Sequence, residues 1–235
     1  MKPFLAISFF LLLLTASASA VERFPKLDDT DWGWWRGPNH NGIAAASAQP
    51  PLTWDDNTNI RWQAEIPGRG HSSPTVVGDR VFLTTANEVK QTQHVLCFDR
   101  STGDVLWNKE IYQGNFDHNN NKNSFASSSV SCDGQQIYTS FFRDKKILTV
   151  ALTLKGKLVW EHVYGGFASH QGFGASPLLY KRMVILAADN KADGGGLLTA
   201  VDRQNGEILW ETPRPKCPNY VSPTIYHLNG RDELL

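Results

Sequence analysis

Four residues have side chains whose types and settings could do chemistry: His71, His118, Asn123 and His170. Each lies in a stretch rich in small and polar residues, namely Gly70-His71-Ser72-Ser73-Pro74, His118-Asn119-Asn120-Asn121-Lys122-Asn123-Ser124-Phe125-Ala126-Ser127, and Ser169-His170-Gln171-Gly172-Phe173-Gly174-Ala175-Ser176-Pro177. Imidazole is a common metal ligand and a donor or acceptor near neutral pH, so a polar pocket for a ligand or a metal is one reading. The histidines stand roughly 50 residues apart, which is not the tight spacing of a zinc motif. The competing reading is that these side chains only satisfy loop backbone groups. No nucleophile elbow, phosphate-binding loop or paired carboxylates stand out, so no catalytic residue is assigned and the metal stays unspecified.

Three cysteines give no obvious disulfide framework. Cys97 sits in an apolar run and reads as a small buried residue. Cys132 and Cys217 could pair in an oxidising compartment, or not. Lys+Arg and Asp+Glu both number 23, so charge does not point to nucleic acid or an anionic membrane as partner. Residues 1–20 have a Lys2 n-region, an apolar core from Leu5 to Leu14 and a small-residue Ala18-Ser19-Ala20 end, the pattern of a cleaved secretory signal. That core is short for a bilayer span, so the expectation is an exported chain, periplasmic or extracellular, with no membrane span after cleavage.

The elements that must position the four residues come from an internal repeat. Cys97-Phe98-Asp99-Arg100-Ser101-Thr102-Gly103-Asp104-Val105-Leu106-Trp107 returns as Ala200-Val201-Asp202-Arg203-Gln204-Asn205-Gly206-Glu207-Ile208-Leu209-Trp210. A third copy, from Ala151 to Trp160, keeps Gly156 but has Thr153 for the Asp and a shorter turn. Each copy predicts a hairpin: an apolar strand arrives, the Asp binds the turn backbone, Gly takes positive φ, and a second strand leaves through Trp. Trp62, in Asn59-Ile60-Arg61-Trp62-Gln63-Ala64-Glu65-Ile66, has the departing strand alone. A period of roughly 50 residues built from strands predicts a solenoid or propeller. Asp99, Gly103, Trp107, Gly156, Trp160, Asp202, Gly206 and Trp210 are therefore read as structural.

Upstream of each cassette a first strand, a tight turn and a second strand can be picked out. In the first unit these are Thr75–Val77, Gly78-Asp79 and Arg80–Thr85, followed by a polar loop read from Ala86 to Gln93. Four antiparallel strands joined by hairpins make one propeller blade. No helical periodicity is sustained after the signal, so the fold class is all-β. The reading gives three complete blades plus partial ones, with a fourth unit from Val221 through the Asn229-Gly230 turn. Divided by composition, the chain is a signal at 1–20, a Trp-rich leader at 21–58 and the propeller at 59–235. Leu235 falls inside a blade, so the expectation is a propeller truncated at its C-terminus. In the leader, Trp32, Trp34 and Trp35 either cover one face of the β domain or offer a stacking platform for a carbohydrate or other ligand.

The cassette resembles the tryptophan-docking motif of the pyrroloquinoline quinone (PQQ) repeat family, A-x-D-x-x-T-G-x-x-x-W. It matches at Asp99, Thr102, Gly103 and Trp107 and at Ala200, Asp202, Gly206 and Trp210. Cys97 and Asn205 depart from it, as does the missing Asp of the middle copy. The Trp32-to-Gly42 stretch is similar to the W-x-x-[WF]-R-G-P-x-x-x-G opening of secreted bacterial proteins with such repeats. The resemblance implies a ring, commonly of eight blades, in which each Trp packs between neighbours. Two functional classes share that fold: quinoprotein dehydrogenases, which oxidise alcohols or sugars with PQQ and Ca²⁺, and the non-catalytic propeller of outer-membrane β-barrel assembly, which binds proteins. The dehydrogenases carry an adjacent Cys-Cys disulfide, and this chain has none. The expectation is therefore an exported, non-catalytic scaffold or binding protein that takes an envelope protein or a small ligand and requires no cofactor. The alternative is a PQQ- and Ca²⁺-dependent oxidoreductase. The ligand-binding candidates are His71, His118, Asn123 and His170.

Overall fold

The computed structural model describes residues 27–116 and 120–235, so the signal expected at 1–20 and His118 lie outside the described residues. The described residues contain no helix and run through fourteen strands. The first blade is β1 (Thr75–Val77), β2 (Arg80–Asn87), β3 (Thr92–Asp99) and β4 (Val105–Gln113). The second is β5 (Ser131–Cys132), β6 (Gln136–Arg143), β7 (Lys146–Thr153) and β8 (Leu158–Gly165). The third is β9 (Leu178–Tyr180), β10 (Met183–Ala187), β11 (Gly196–Asp202) and β12 (Ile208–Arg214), and a hairpin of β13 (Ile225–Leu228) and β14 (Arg231–Leu234) follows. Each four-stranded sheet runs in chain order with antiparallel neighbours. The chain is an all-β protein of propeller blades, as its repeat predicts.

Why the blades stack follows from the two-residue side-chain period of a strand. In β6, Ile137 and Phe141 join the core of the first two blades beside Phe82, Val95 and Cys97. Their neighbours Tyr138 and Phe142 join the next core with Val184, Leu186 and Val201. A middle strand thus feeds two interfaces and reads as an almost unbroken buried run, whereas β4 and β12 at the rim are mostly exposed.

The cassette is the clamp across these interfaces. Cys97, Ala151 and Ala200 pair directly across the ladder with Trp107, Trp160 and Trp210, and in each sheet the register shifts just after the small residue. A small side chain opposite leaves the indole free to lean onto the next blade. Trp62, Trp107 and Trp160 donate their indole N–H to the carbonyls of Arg100, Leu154 and Arg203 in the following turn, at 2.9, 3.0 and 2.8 Å. Gly103, Gly156 and Gly206 have φ of 78°, 77° and 74°. A Cβ there would stand 2.6, 3.0 and 2.8 Å from the seated ring. Glycine is demanded twice, by conformation and by the indole. Asp99 Oδ1 accepts the amides of Ser101 and Thr102, and Asp202 Oδ1 accepts that of Gln204. In the middle copy the Thr153 hydroxyl accepts the Lys157 amide instead.

A second set of contacts runs close to the axis. Ser73 N–H donates to Ser129 Oγ, Ser129 N–H to Ser176 Oγ and Ser176 N–H to Ser222 Oγ, at 2.8, 3.0 and 2.8 Å. One serine per unit therefore links the innermost segments of four successive units in a belt. The leader crosses the same inner strands. Trp32 exchanges backbone hydrogen bonds with Val76, the Gly33 carbonyl accepts the Cys132 amide, and Trp34 Nε1 donates to the Pro177 carbonyl. Consecutive leader residues thus touch the first, second and third units. Trp34 is 4% exposed, so covering is what its indole does here, not open stacking.

Three sequence expectations shift. The loop expected from Ala86 to Gln93 shortens to 88–91, because Gln93 is fully buried and its amide nitrogen donates to the carbonyls of Phe125 and Phe142. The strand expected around Trp62 keeps its docked indole but forms no ladder among the described residues, since strand hydrogen bonds need a partner. Cys132 is buried and Cys217 exposed, and both are free thiols.

Trp160→Ala is expected to lower the unfolding free energy by about 3–5 kcal/mol in denaturant titration, the cost of deleting a buried large aromatic. Ser176→Ala leaves the buried Ser129 amide without its acceptor and is expected to cost about 1–3 kcal/mol in the same measurement.

Candidate functional site

The connections that enter the blades meet at one end of the inner strands, and the serine belt fixes their mutual register. Two residues before belt serines Ser73, Ser129, Ser176 and Ser222 stand His71, Ser127, Gly174 and Tyr220. All four line one open cavity of about 370 Å³, together with Lys122, Asn123 and Gln171 among others. The cavity exists because the two middle positions are small: Ser127 and Gly174 leave room between the imidazole of His71 and the phenol of Tyr220. A Cβ added to Gly174 would approach that of Ser127 at 3.6 Å.

Of the residues singled out in the sequence, His71 and Asn123 come together here. Asn123 serves the wall. Its Oδ1 accepts the Ser124 amide at 2.8 Å and the Ser127 hydroxyl, while its Nδ2 donates 2.6 Å to the Gln171 carbonyl of the next connection. His71 is held by its own backbone, whose amide donates to the Ala126 carbonyl at 3.0 Å, and its side chain is exposed. His170 is exposed and does not line the cavity. It lies six residues before its belt serine rather than two, so the repeat places it elsewhere. Tyr220 escaped the sequence reading, and Lys122, which the sequence reads as a solvent-facing loop residue, also lines the cavity. Aligning the units on their entry serines instead of on their histidines would have revealed Tyr220.

Chemically, the cavity offers an ammonium, an imidazole, a phenol, a hydroxyl and amides. Lys122 is the one permanent charge among these lining residues, and no carboxylate lines it. That donor set suits a ligand with carboxylate, carbonyl or hydroxyl oxygens. It would fit the oxygens of a quinone such as PQQ. It does not fit a divalent cation, which needs several oxygen ligands and usually carboxylates. No group of three or more His, Cys, Asp and Glu is placed to hold a metal among the described residues. Burial pushes the thiols of Cys97 and Cys132 up to about 12, so both stay protonated at neutral pH and neither is a nucleophile.

With this geometry in hand, comparison with known proteins gives a consistent picture. A family model described as outer membrane protein assembly factor BamB matches residues 30–169 and, in an overlapping register, 91–228. A polyvinylalcohol dehydrogenase from Pseudomonas sp is 27% identical over 207 residues, covering 81% of this chain and 30% of that protein. The crystal structure of the quinohemoprotein alcohol dehydrogenase from Comamonas testosteroni superposes with a TM-score of 0.51 at 19% identity, covering 78% of this chain and 27% of that one. The chain thus spans under a third of the length of these relatives, and the second likeness is one of fold.

Asn123→Ala is expected to release the tie between the second and third connections. Amide hydrogen exchange at Ser124 and across 170–174 should quicken while the global melting temperature moves little, because the core clamps are untouched.

Proposed function

The chain belongs to the family described as outer membrane protein assembly factor BamB, as a PQQ-like β-propeller related to quinoprotein dehydrogenases, and from that premise we propose that it is an exported binding protein whose ligand sits at the mouth of the propeller axis. The observation that carries this reading is the convergence of His71, Ser127, Gly174 and Tyr220, four equivalent positions of successive units, on one polar cavity beside Lys122. Repetition supplies the scaffold, and departures from it at these positions supply the chemistry: two small residues open the space that an imidazole and a phenol flank. The ligand class is an oxygen-rich small molecule or an acidic segment of an envelope protein, met by Lys122 and by hydrogen-bond donors. The exported address rests on the N-terminal signal pattern.

A second reading has one specific support, the 27% identity to a polyvinylalcohol dehydrogenase, and would make the chain part of a quinone-dependent oxidoreductase. PQQ would supply the electron acceptor. Lys122, His71 and Tyr220 would bind and orient its oxygens.

One titration separates the two. The chain is titrated with PQQ, with and without Ca²⁺, while quinone absorbance and reduction of an artificial dye by secondary alcohols are followed. The binding reading expects no dye reduction, and an affinity for PQQ or for an acidic peptide that falls at least about tenfold in the combined His71→Ala, Lys122→Ala, Tyr220→Phe variant. Alcohol-dependent dye reduction would overturn it in favour of the oxidoreductase, and affinities unchanged by the triple substitution would remove the site.

A further inference from the structure

At the opposite end of the sheets, where the β5–β6 and β11–β12 turns lie, the leader roofs a second cavity of about 190 Å³. Its walls include Trp34, Pro38, His40, Asp133, Leu179 and Arg203. None of these belongs to the mouth site.

The walls are largely apolar, carry a few polar groups and are electrically neutral. Asp133 and Arg203 are an ion pair at 3.4 Å, with side chains only 4% and 7% exposed. The carboxylate is held hard: Oδ1 accepts the amides of Gln135 and Gln136, and Oδ2 accepts the Tyr138 hydroxyl at 2.8 Å. It is an acceptor already formed and paired, so it calls for no cation. The Arg203 charge is in turn cancelled, so an anion gains little over water. On the facing wall, His40 adopts left-handed backbone at φ 55°, which sets its ring 4.4 Å from that of Trp34. Burial lowers the pKa of this imidazole, which is therefore neutral at pH 7 and offers one donor and one acceptor. Trp34 contributes packing only, because its N–H is spent on Pro177.

Size narrows the ligand further. At about 30 Å³ per water the space equals some six waters, and it is below the range of about 300–1,000 Å³ that holds drug-sized ligands. Apolar faces from Pro38, Leu179 and the aromatic pair make up most of the lining, and the imidazole of His40 and the guanidinium of Arg203 stand among them. That mixture matches a molecule carrying hydroxyls on a compact carbon skeleton. We propose that this cavity under the leader is a binding site for a neutral polyhydroxylated molecule between glycerol and a single sugar ring in size. The Trp-Arg-Gly-Pro turn at Trp35 to Pro38 is then the roof that forms the site.

Isothermal titration of the full chain with glycerol, erythritol and glucose tests this. At least one should bind saturably with a millimolar Kd. His40→Ala, which removes a hydrogen-bonding wall, and Leu179→Phe, which fills the space, should each weaken it by about tenfold or more. Leu179→Phe leaves the leader hydrogen bonds and the Asp133–Arg203 pair in place, so it decides the matter if His40→Ala unfolds early. The combined substitution at His71, Lys122 and Tyr220 should leave this binding unchanged. No saturable heat up to about 100 mM, far weaker than a millimolar Kd, overturns the proposal. So does an affinity unaltered by both cavity variants, or one abolished by the mouth variant.

Discussion

An indole seated on the glycine of the next turn is the contact from which the architecture follows, because it joins one blade to the next through a single local motif. The seat has three independent requirements: a small residue across the ladder from the Trp, a glycine at positive φ under the ring, and a carbonyl aimed at the indole N–H. Each is met within a cassette of about ten residues, so copying the cassette copies the interface, as nearest-neighbour stacking requires. The middle copy shows which requirement is firm. Thr153 replaces Asp and the turn shortens, yet glycine, small residue and Trp remain, and Trp107 still docks.

The inner serine belt is a weaker bond of a different kind. Each link is one hydrogen bond, worth about 1 kcal/mol net when made and more if an amide is left bare, against several for a buried Trp. Its consequence is registration rather than strength: it brings equivalent residues of neighbouring units side by side around the axis. Clamp and belt thus divide the labour. Because the backbone is fixed at both radii, side chains two positions before each belt serine can vary freely, and a binding site can be built there without disturbing the fold.

The leader extends the same logic. It does not wrap the outside of the sheets but spends consecutive residues on the innermost strands of three units, anchoring by backbone at Trp32 and Gly33 and by an indole N–H at Trp34. A Cβ on Gly33 would stand 2.4 Å from Leu27 Cδ1 and 3.1 Å from the Cys132 carbonyl, so the close passage depends on a missing side chain. The two cavities at opposite ends of the inner strands have different donors: an ammonium-bearing mouth, and a neutral pocket whose one ion pair is internal.

By itself the sequence determined everything carried by local, repeated chemistry. The hairpins, the turn roles of Asp99, Gly103, Gly156, Asp202 and Gly206, and the reading of Cys97 as a small buried residue were legible because each depends on neighbours within a dozen positions, and the period was legible because the cassette repeats; the seats of Trp107 and Trp160 lie 47 and 43 positions away, in the next unit. Of the candidate site, His71 was legible as a lining residue and Asn123 as a member of the site, though as a strut between loops. Tertiary structure alone decided the rest. Whether a histidine in a blade connection faces the axis depends on its distance from the belt serine, and the belt is a set of contacts between residues 46 to 56 positions apart. His170 therefore falls outside the cavity while Tyr220, which carries no motif, falls inside. Gln93 reads as a loop residue until carbonyls from distant segments accept its amide nitrogen in the core. Short-range rules fix the blade, and which side chains meet at the axis is settled only when the blades stand side by side.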